Sequence, residues 1–252
     1  MFREDFEAAS AAAVTKSTFL EKNPLGYFVL SMLAGSFIGF GGLLAFTAGG
    51  LLSGAPATKI VMGALFGVAL SLVVMAGGEL FTGNNFVMAA GMLKKKVTLA
   101  QSCKLWVICW LGNTAGGIVL AVLYHLTGLG EGAVGDFIAA GALAKMTASP
   151  VALFTRGMLC NMLVCLAVWC GFRCKTETAK LIMIFWCLLA FFTIGFEHSV
   201  ANMTILTYGL LRPAGQALTI GGWFYNLIIV TFGNMAGGIL LVAAPYYAAQ
   251  RE

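Results

Sequence analysis

Apolar residues run through this chain in long blocks that charged residues bound rather than interrupt. No Asp, Glu, Lys or Arg falls between Lys22 and Lys59, between Lys104 and Glu131, or between Arg212 and Arg251. Those gaps hold 36, 26 and 38 residues, and one membrane-spanning helix needs about 20. Three shorter uncharged runs cover 60–78, 157–172 and 181–196. The pattern predicts six spanning helices. The runs that follow Lys59 and Lys180 each stop at an acidic residue and then resume as a second apolar stretch. The second and fifth spans are therefore expected to be interrupted.

The two interruptions resemble each other. Gly78-Glu79-Leu80-Phe81-Thr82-Gly83-Asn84 stands against Phe196-Glu197-His198-Ser199-Val200-Ala201-Asn202, both E-x-x-x-x-N. The next spans match as Gly112-Asn113-Thr114-Ala115-Gly116-Gly117-Ile118 and Gly233-Asn234-Met235-Ala236-Gly237-Gly238-Ile239, and the opening spans begin at Pro24 and Pro150. The chain reads as a duplication, with repeats at about 23–126 and 145–247. Three spans per half put the second half into the membrane upside down. Inverted repeats bring their broken helices face to face near the bilayer midplane, where substrate sites are built. Irregular backbone at that depth survives only inside protein or along a wet cavity, so both breaks are expected to line one pathway.

Composition agrees. The 252 residues are 60% apolar and 10% charged, with mean hydropathy +0.92, whereas soluble domains run near 45–50% and about 25%. Many of the 32 glycines fall in G-x-x-x-G pairs (Gly35/Gly39, Gly63/Gly67, Gly112/Gly116, Gly233/Gly237), which read as helix-packing seams. Seven cysteines in or beside spans, without a C-x-x-C pair, read as packing residues and not as disulfides or metal ligands. The net charge of +5 reports topology, not nucleic-acid binding. With both termini cytoplasmic, eleven Lys/Arg lie inside and four outside (Lys59, Lys145, Arg156, Arg212). Residues 1–22 lack the basic start and apolar middle of a signal peptide and read as an amphipathic interfacial helix before a single channel domain over 23–252.

At the breaks, Asn84 and Asn202 are expected to cap the half-helices that resume there, whose positive dipole ends would face an anion. His198 at midplane depth, beside Glu197, is a candidate for proton exchange with a weak acid in transit. Thr82 in the other break offers a hydroxyl donor. Glu79 and Glu197 are expected to hold the loops by accepting backbone N–H groups freed by the breaks. Asn161 reads as a polar wall residue and His125 as an interface residue. Lys145 is, on sequence alone, an ordinary loop lysine.

These motifs resemble the formate/nitrite transporter family. Glu79-Leu80-Phe81-Thr82-Gly83, Glu197-His198-Ser199-Val200-Ala201-Asn202-Met203, Asn23-Pro24-Leu25-Gly26, Ala144-Lys145 and Gly233-Asn234 carry the resemblance across nearly the whole chain. It implies an aquaporin-like all-α fold, a homopentamer with one pore per protomer in a bacterial cytoplasmic membrane, and passage of small monovalent anions: nitrite, hydrosulfide or formate. No cofactor is implied. The family's central histidine falls on His198, its loop threonine on Thr82, its vestibule lysine on Lys145 and its polar asparagines on Asn161 and Asn202. Its apolar constrictions fall on Leu70, Leu80 and Phe81 toward the cytoplasm and on Phe66 and Phe191 toward the outside, where they would gate by dewetting. Glu79, in place of aspartate, and the short link between spans five and six lean toward the nitrite and hydrosulfide branches. The alternative is an aquaporin-like channel for neutral small solutes, but Asn-Pro-Ala signatures are absent. An intramembrane enzyme is disfavoured, since no H-E-x-x-H or carboxylate cluster is present.

Overall fold

The computed structural model describes residues 2–250, so Met1, Arg251 and Glu252, including one charge counted above, lie outside the described residues. Every regular element among them is helical. The first half runs α1 (Arg3–Lys22), α2 (Pro24–Leu51), α3 (Thr58–Phe66), α4 (Val68–Leu72), a π-helical turn at Val73–Gly77, α5 (Phe81–Leu93) and α6 (Leu99–Leu126). The second runs α7 (Gly132–Thr147), α8 (Pro150–Arg173), α9 (Glu177–Ile194), α10 (Ser199–Leu211), α11 (Ile220–Gly238), a π-helical turn at Ile239–Ala243 and α12 (Ala244–Ala249). Six stretches are long and apolar enough to cross a bilayer: Pro24–Leu51, Thr58–Gly77, Leu99–Leu126, Pro150–Arg173, Glu177–Ile194 and Ile220–Ala249. The interrupted second and fifth spans are confirmed.

The duplication shows in the packing. In the first half α2 packs on α6, and in the second α8 packs on α11, while α5 crosses to α8 and α10 to α2. At the seams, a Cβ on Gly116 would fall on the Met32 carbonyl, and one on Gly237 on the Met158 carbonyl. Only glycine lets these backbones approach so closely. Both first spans open alike: Asn23 caps α2 by accepting the Gly26 N–H at 2.9 Å, with Pro24 at the first helical position. Ser149 caps α8 by accepting the Ala152 N–H at 3.4 Å, with Pro150 following. Each broken span also ends the same way, on a left-handed glycine, Gly77 (φ 85°) or Gly195 (φ 92°), a conformation that other residues adopt at a cost.

The helices α1 and α7 hold equivalent places, α1 against α5 and α7 against α10. They mark the two faces of the molecule, the α1 face and the α7 face. The amphipathic helix expected over residues 1–22 spans Arg3–Lys22 and packs its apolar face on the protein. Phe6, Ala9, Ala13 and Leu20 form a buried stripe along α1, with the Phe6 ring 6.3 Å from Phe86 and 6.2 Å from Trp169. On its outer side Glu7 pairs with Lys96 and, at 3.7 Å, with Lys94, in the turn after α5.

Lys96 holds the Glu7 carboxyl below its ordinary value of 4.5. A depressed carboxyl contributes stability that is present above the ordinary value and is lost as the pH falls through the lower folded one. Protection of the α1 amides, taken relative to their intrinsic exchange rates at each pH, should therefore hold down to about pH 4 and decline below it. Glu7→Gln should show the lower protection at neutral pH with little further change in acid. Since Glu7 is half exposed, the effect should be modest.

Candidate functional site

Three cavities follow one another between the faces. On the α1 face a cavity of about 550 Å³ is lined by Lys16, Glu79 and Asn84 and floored by Leu70 and Leu80. On the α7 face one of about 350 Å³ is lined by Lys145, Glu197 and Asn202 and floored by Phe191 and His198. Between them Phe66, Leu70, Leu80, Phe191 and His198 wall a chamber with no room for a water molecule. The shared walls put the three cavities in line, with no room for water at the centre. The Phe191 ring lies 5.6 Å from Phe66 edge-on and stacks on His198 at 5.9 Å. Phe81, expected among the constricting residues, lines none of the three cavities. It is buried in the protein.

Each break is held by the same polar clamp. Asn113 Oδ1 accepts the Phe81 N–H at 2.9 Å, and its Nδ2 donates to the Glu79 and Ser31 carbonyls at 2.9 and 2.7 Å. Asn234 repeats this: Oδ1 accepts the Ser199 N–H at 2.9 Å, and Nδ2 donates to the Glu197 and Gly157 carbonyls at 3.0 and 2.8 Å. The glutamates' own amides, Glu79 N and Glu197 N, donate to Leu30 O and Arg156 O. These bonds correct two expectations. Asn84 and Asn202 do not cap: the half-helices begin at Phe81 and Ser199, so both asparagines lie within them. The glutamates do not receive freed amides either, because Asn113 and Asn234 have taken them. Instead each carboxylate accepts from an asparagine and a lysine. Glu79 accepts Asn84 Nδ2 at 2.9 Å and Lys16 Nζ at 2.7 Å. Glu197 accepts Asn202 Nδ2 at 2.7 Å and Lys145 Nζ at 2.8 Å. Lys16 therefore stands on the α1 face as Lys145 does on the α7 face. The duplication held the signal for it: Lys16 precedes Pro24 by eight residues and Lys145 precedes Pro150 by five, a difference of one helical turn.

The clamps differ at one position. His198 occupies the N-cap of α10 and accepts the Ala201 N–H on Nδ1 at 3.1 Å, whereas Leu80, the N-cap of α5 with similar dihedral angles, offers no side-chain cap. The cap bond uses the Nδ1 lone pair, so the neutral ring carries its hydrogen on Nε2. That Nε2–H points at Thr82 Oγ1, 3.1 Å away. Thr82 then accepts from the histidine, and its own hydroxyl hydrogen is free to serve another acceptor. Both side chains are buried. Asn161 sits behind this pair rather than along the cavities, donating Nδ2 to the carbonyls of Thr82 (3.2 Å) and Asn234 (2.7 Å) and to Asn85 Oδ1 (3.0 Å). It ties the half-helix α5 to α11.

The sequence pattern described as Formate/nitrite transporter matches residues 3–248. The nitrite transporter NirC of Salmonella typhimurium is 40% identical over 251 residues, covering 99% of this chain and 92% of its own. Among solved structures, an FNT family ion channel superposes with a TM-score of 0.95 at 38% identity, covering 99% of this chain and 100% of that one. A pentameric formate channel with formate bound superposes at 0.80 with 28% identity, covering 91% and 98%.

Asn113→Leu and Asn234→Leu should each cost stability, since each strands a buried backbone N–H, that of Phe81 or of Ser199. A buried group left unpaired costs about 1–3 kcal/mol. The melting temperature in detergent should fall by roughly 5 °C or more in each variant, and hydrogen exchange should quicken at the start of the corresponding half-helix.

Proposed function

The chain belongs to the formate/nitrite transporter family, and from that premise we propose that it is a homopentameric channel for small monovalent anions, nitrite first, with hydrosulfide and formate also accepted. The α1 face is cytoplasmic in this reading, because the basic residues on that side outnumber those on the other. The observation that carries the proposal is His198 in the wall of a dry chamber, hydrogen-bonded to the buried Thr82 hydroxyl behind it, between two helix N-termini.

An ion entering either vestibule meets a lysine already paired with a glutamate, Lys16 with Glu79 or Lys145 with Glu197. Such a pair gives up one lysine hydrogen bond at little cost in net charge, so the vestibules pass ions without trapping them. Deeper in, the ion must shed its water between Leu70, Leu80, Phe66 and Phe191, and dehydration is the barrier. What offsets it is short-range: the Thr82 hydroxyl hydrogen, left free by the histidine, and the positive ends of α5 and α10. Divalent anions lose more hydration than these donors return, and larger ones are turned away by the width between the constricting side chains.

Proton coupling enters through the same ring. A proton can add to His198 only at Nδ1, displacing the Ala201 N–H and breaking the α10 cap. An anion in the chamber stabilises the imidazolium and offsets that loss, so protonation and anion occupancy are linked. His198→Asn provides the test. Asparagine caps helices well but does not titrate, so the fold should survive while the pH dependence of nitrite uptake into proteoliposomes, between about pH 5 and 8, flattens. A variant with the parental pH profile would remove His198 from proton transfer.

Thr82→Ala should lower nitrite and formate flux about tenfold, the factor for ~1.4 kcal/mol, a little below the contribution of one hydrogen bond to a charged group. Added impermeant salt should not rescue it, since a short-range contact of a fully buried hydroxyl is not screened. Glycerol permeation that exceeds anion flux would instead favour a neutral-solute pore.

A further inference from the structure

The two vestibules hold their charges differently. In the α1-face cavity each lysine has a carboxylate: Lys16 has Glu79, and Lys180 has Glu177 at 3.0 Å. In the α7-face cavity Lys145 is matched by Glu197, but the wall also includes Lys59, which has no ion pair among the described residues. The neighbours of Lys59 supply no acid. It lies on α3, which packs on α2 and α9. Helix α2 carries no charged residue, and the charges of α9, Glu177 and Lys180, stand at its other end. Across the cavity, Asp136 on α7 is held by Arg212 at 3.0 Å. Arg156 is exposed and outside the cavity lining.

The placement of Lys59 is also costly in itself. It is the second residue of α3, where the helix dipole disfavours a cation. The field of the helix end and that of the lysine add at the mouth of the cavity, both attractive to an anion. The Lys145–Glu197 pair contributes little at that range, because opposite charges 2.8 Å apart cancel when seen from the mouth. Resting on the anion-channel reading, we propose that Lys59, not Lys145, is the residue that collects anions on the α7 face. Lys145 acts within the vestibule by hydrogen bonding, and Lys59 acts from its rim by charge.

A charge at one mouth acts mainly when ions are drawn in through it, and salt screens it. The screening length is about 30 Å at ~0.01 M salt and about 3 Å at ~1 M. Single-channel currents across planar bilayers, with nitrite as the carried ion, give the readout. At low ionic strength Lys59→Gln should lower the current about threefold at the polarity that drives anions in through the α7 face, well within the range of electrostatic steering. The opposite polarity should stay within error, so the ratio of the two currents shifts. An impermeant salt at ~1 M should abolish the difference, and Lys59→Arg should retain the parental currents. Lys59→Cys, reacted from one side with a thiol reagent bearing an ammonium group, should regain the lost current, and a sulfonate-bearing reagent should deepen the loss. Parental nitrite currents with an unchanged ratio in Lys59→Gln would overturn this inference alone. So would a loss equal at both polarities or insensitive to salt. A parental chain that carries no anion at all would overturn the anion-channel reading and this inference with it.

Discussion

A helix that breaks at membrane depth exposes amides and carbonyls to surroundings that offer them no water, and everything central to this protein follows from how those groups are satisfied. Asn113 and Asn234 do it from neighbouring spans, one side chain taking an N–H and a carbonyl across each break and anchoring itself to a carbonyl of the first span. Because these asparagines serve the backbone, the glutamate side chains are released to face the vestibules. Because the glutamates face the vestibules, a lysine from α1 or α7 can join each of them. The close packing of the third spans on the first, at Gly116 and Gly237, is what brings the asparagines within reach.

On that near-symmetric frame a single position sets the two halves apart. Leu80 and His198 share backbone geometry and the N-cap position, but one closes the dry chamber with a methyl-tipped wall and the other brings a ring with two nitrogens. The histidine does structural and chemical work with different atoms: Nδ1 completes a helix, and Nε2 orients a hydroxyl. A site that must be dry enough to reject hydrated ions and polar enough to receive a bare one is assembled by making the halves alike in their clamps and unlike in this residue.

The spans, the breaks and the inversion were legible in the sequence because lipid imposes them: charge gaps mark where the chain crosses, and E-x-x-x-x-N marks where it cannot remain helical. The bonding partners were not legible in the same way. Asn84 and Asn202 stand near a helix start in sequence, but the half-helices begin three residues earlier, and the amides are met by residues about 30 positions further on. Glu79 read as a loop anchor because Lys16, 63 residues away, has no sequence mark as its partner. Leu80 and Phe81 are adjacent and equally apolar, and only the folded structure decides which of them faces the chamber. Asn161 is the reverse case: a mid-span asparagine reads as a pathway residue, and its three bonds go to the protein itself.

Each clamp closes within its own half. Glu79, Lys16, Asn84 and Asn113 come from the stretch before the 127–131 connection, and Glu197, Lys145, Asn202 and Asn234 from the stretch after it. The hydrogen bonds that pass between the halves at the centre are few by comparison: Thr82 with His198, Asn161 with Thr82 and Asn85, and Cys165 with Thr82. In evolutionary terms, a half-length ancestor inserted in both orientations would already have possessed two complete clamps. Fusion then added a tether and, more importantly, freed the copies to diverge, so that one kept a leucine at the centre while the other carried a histidine.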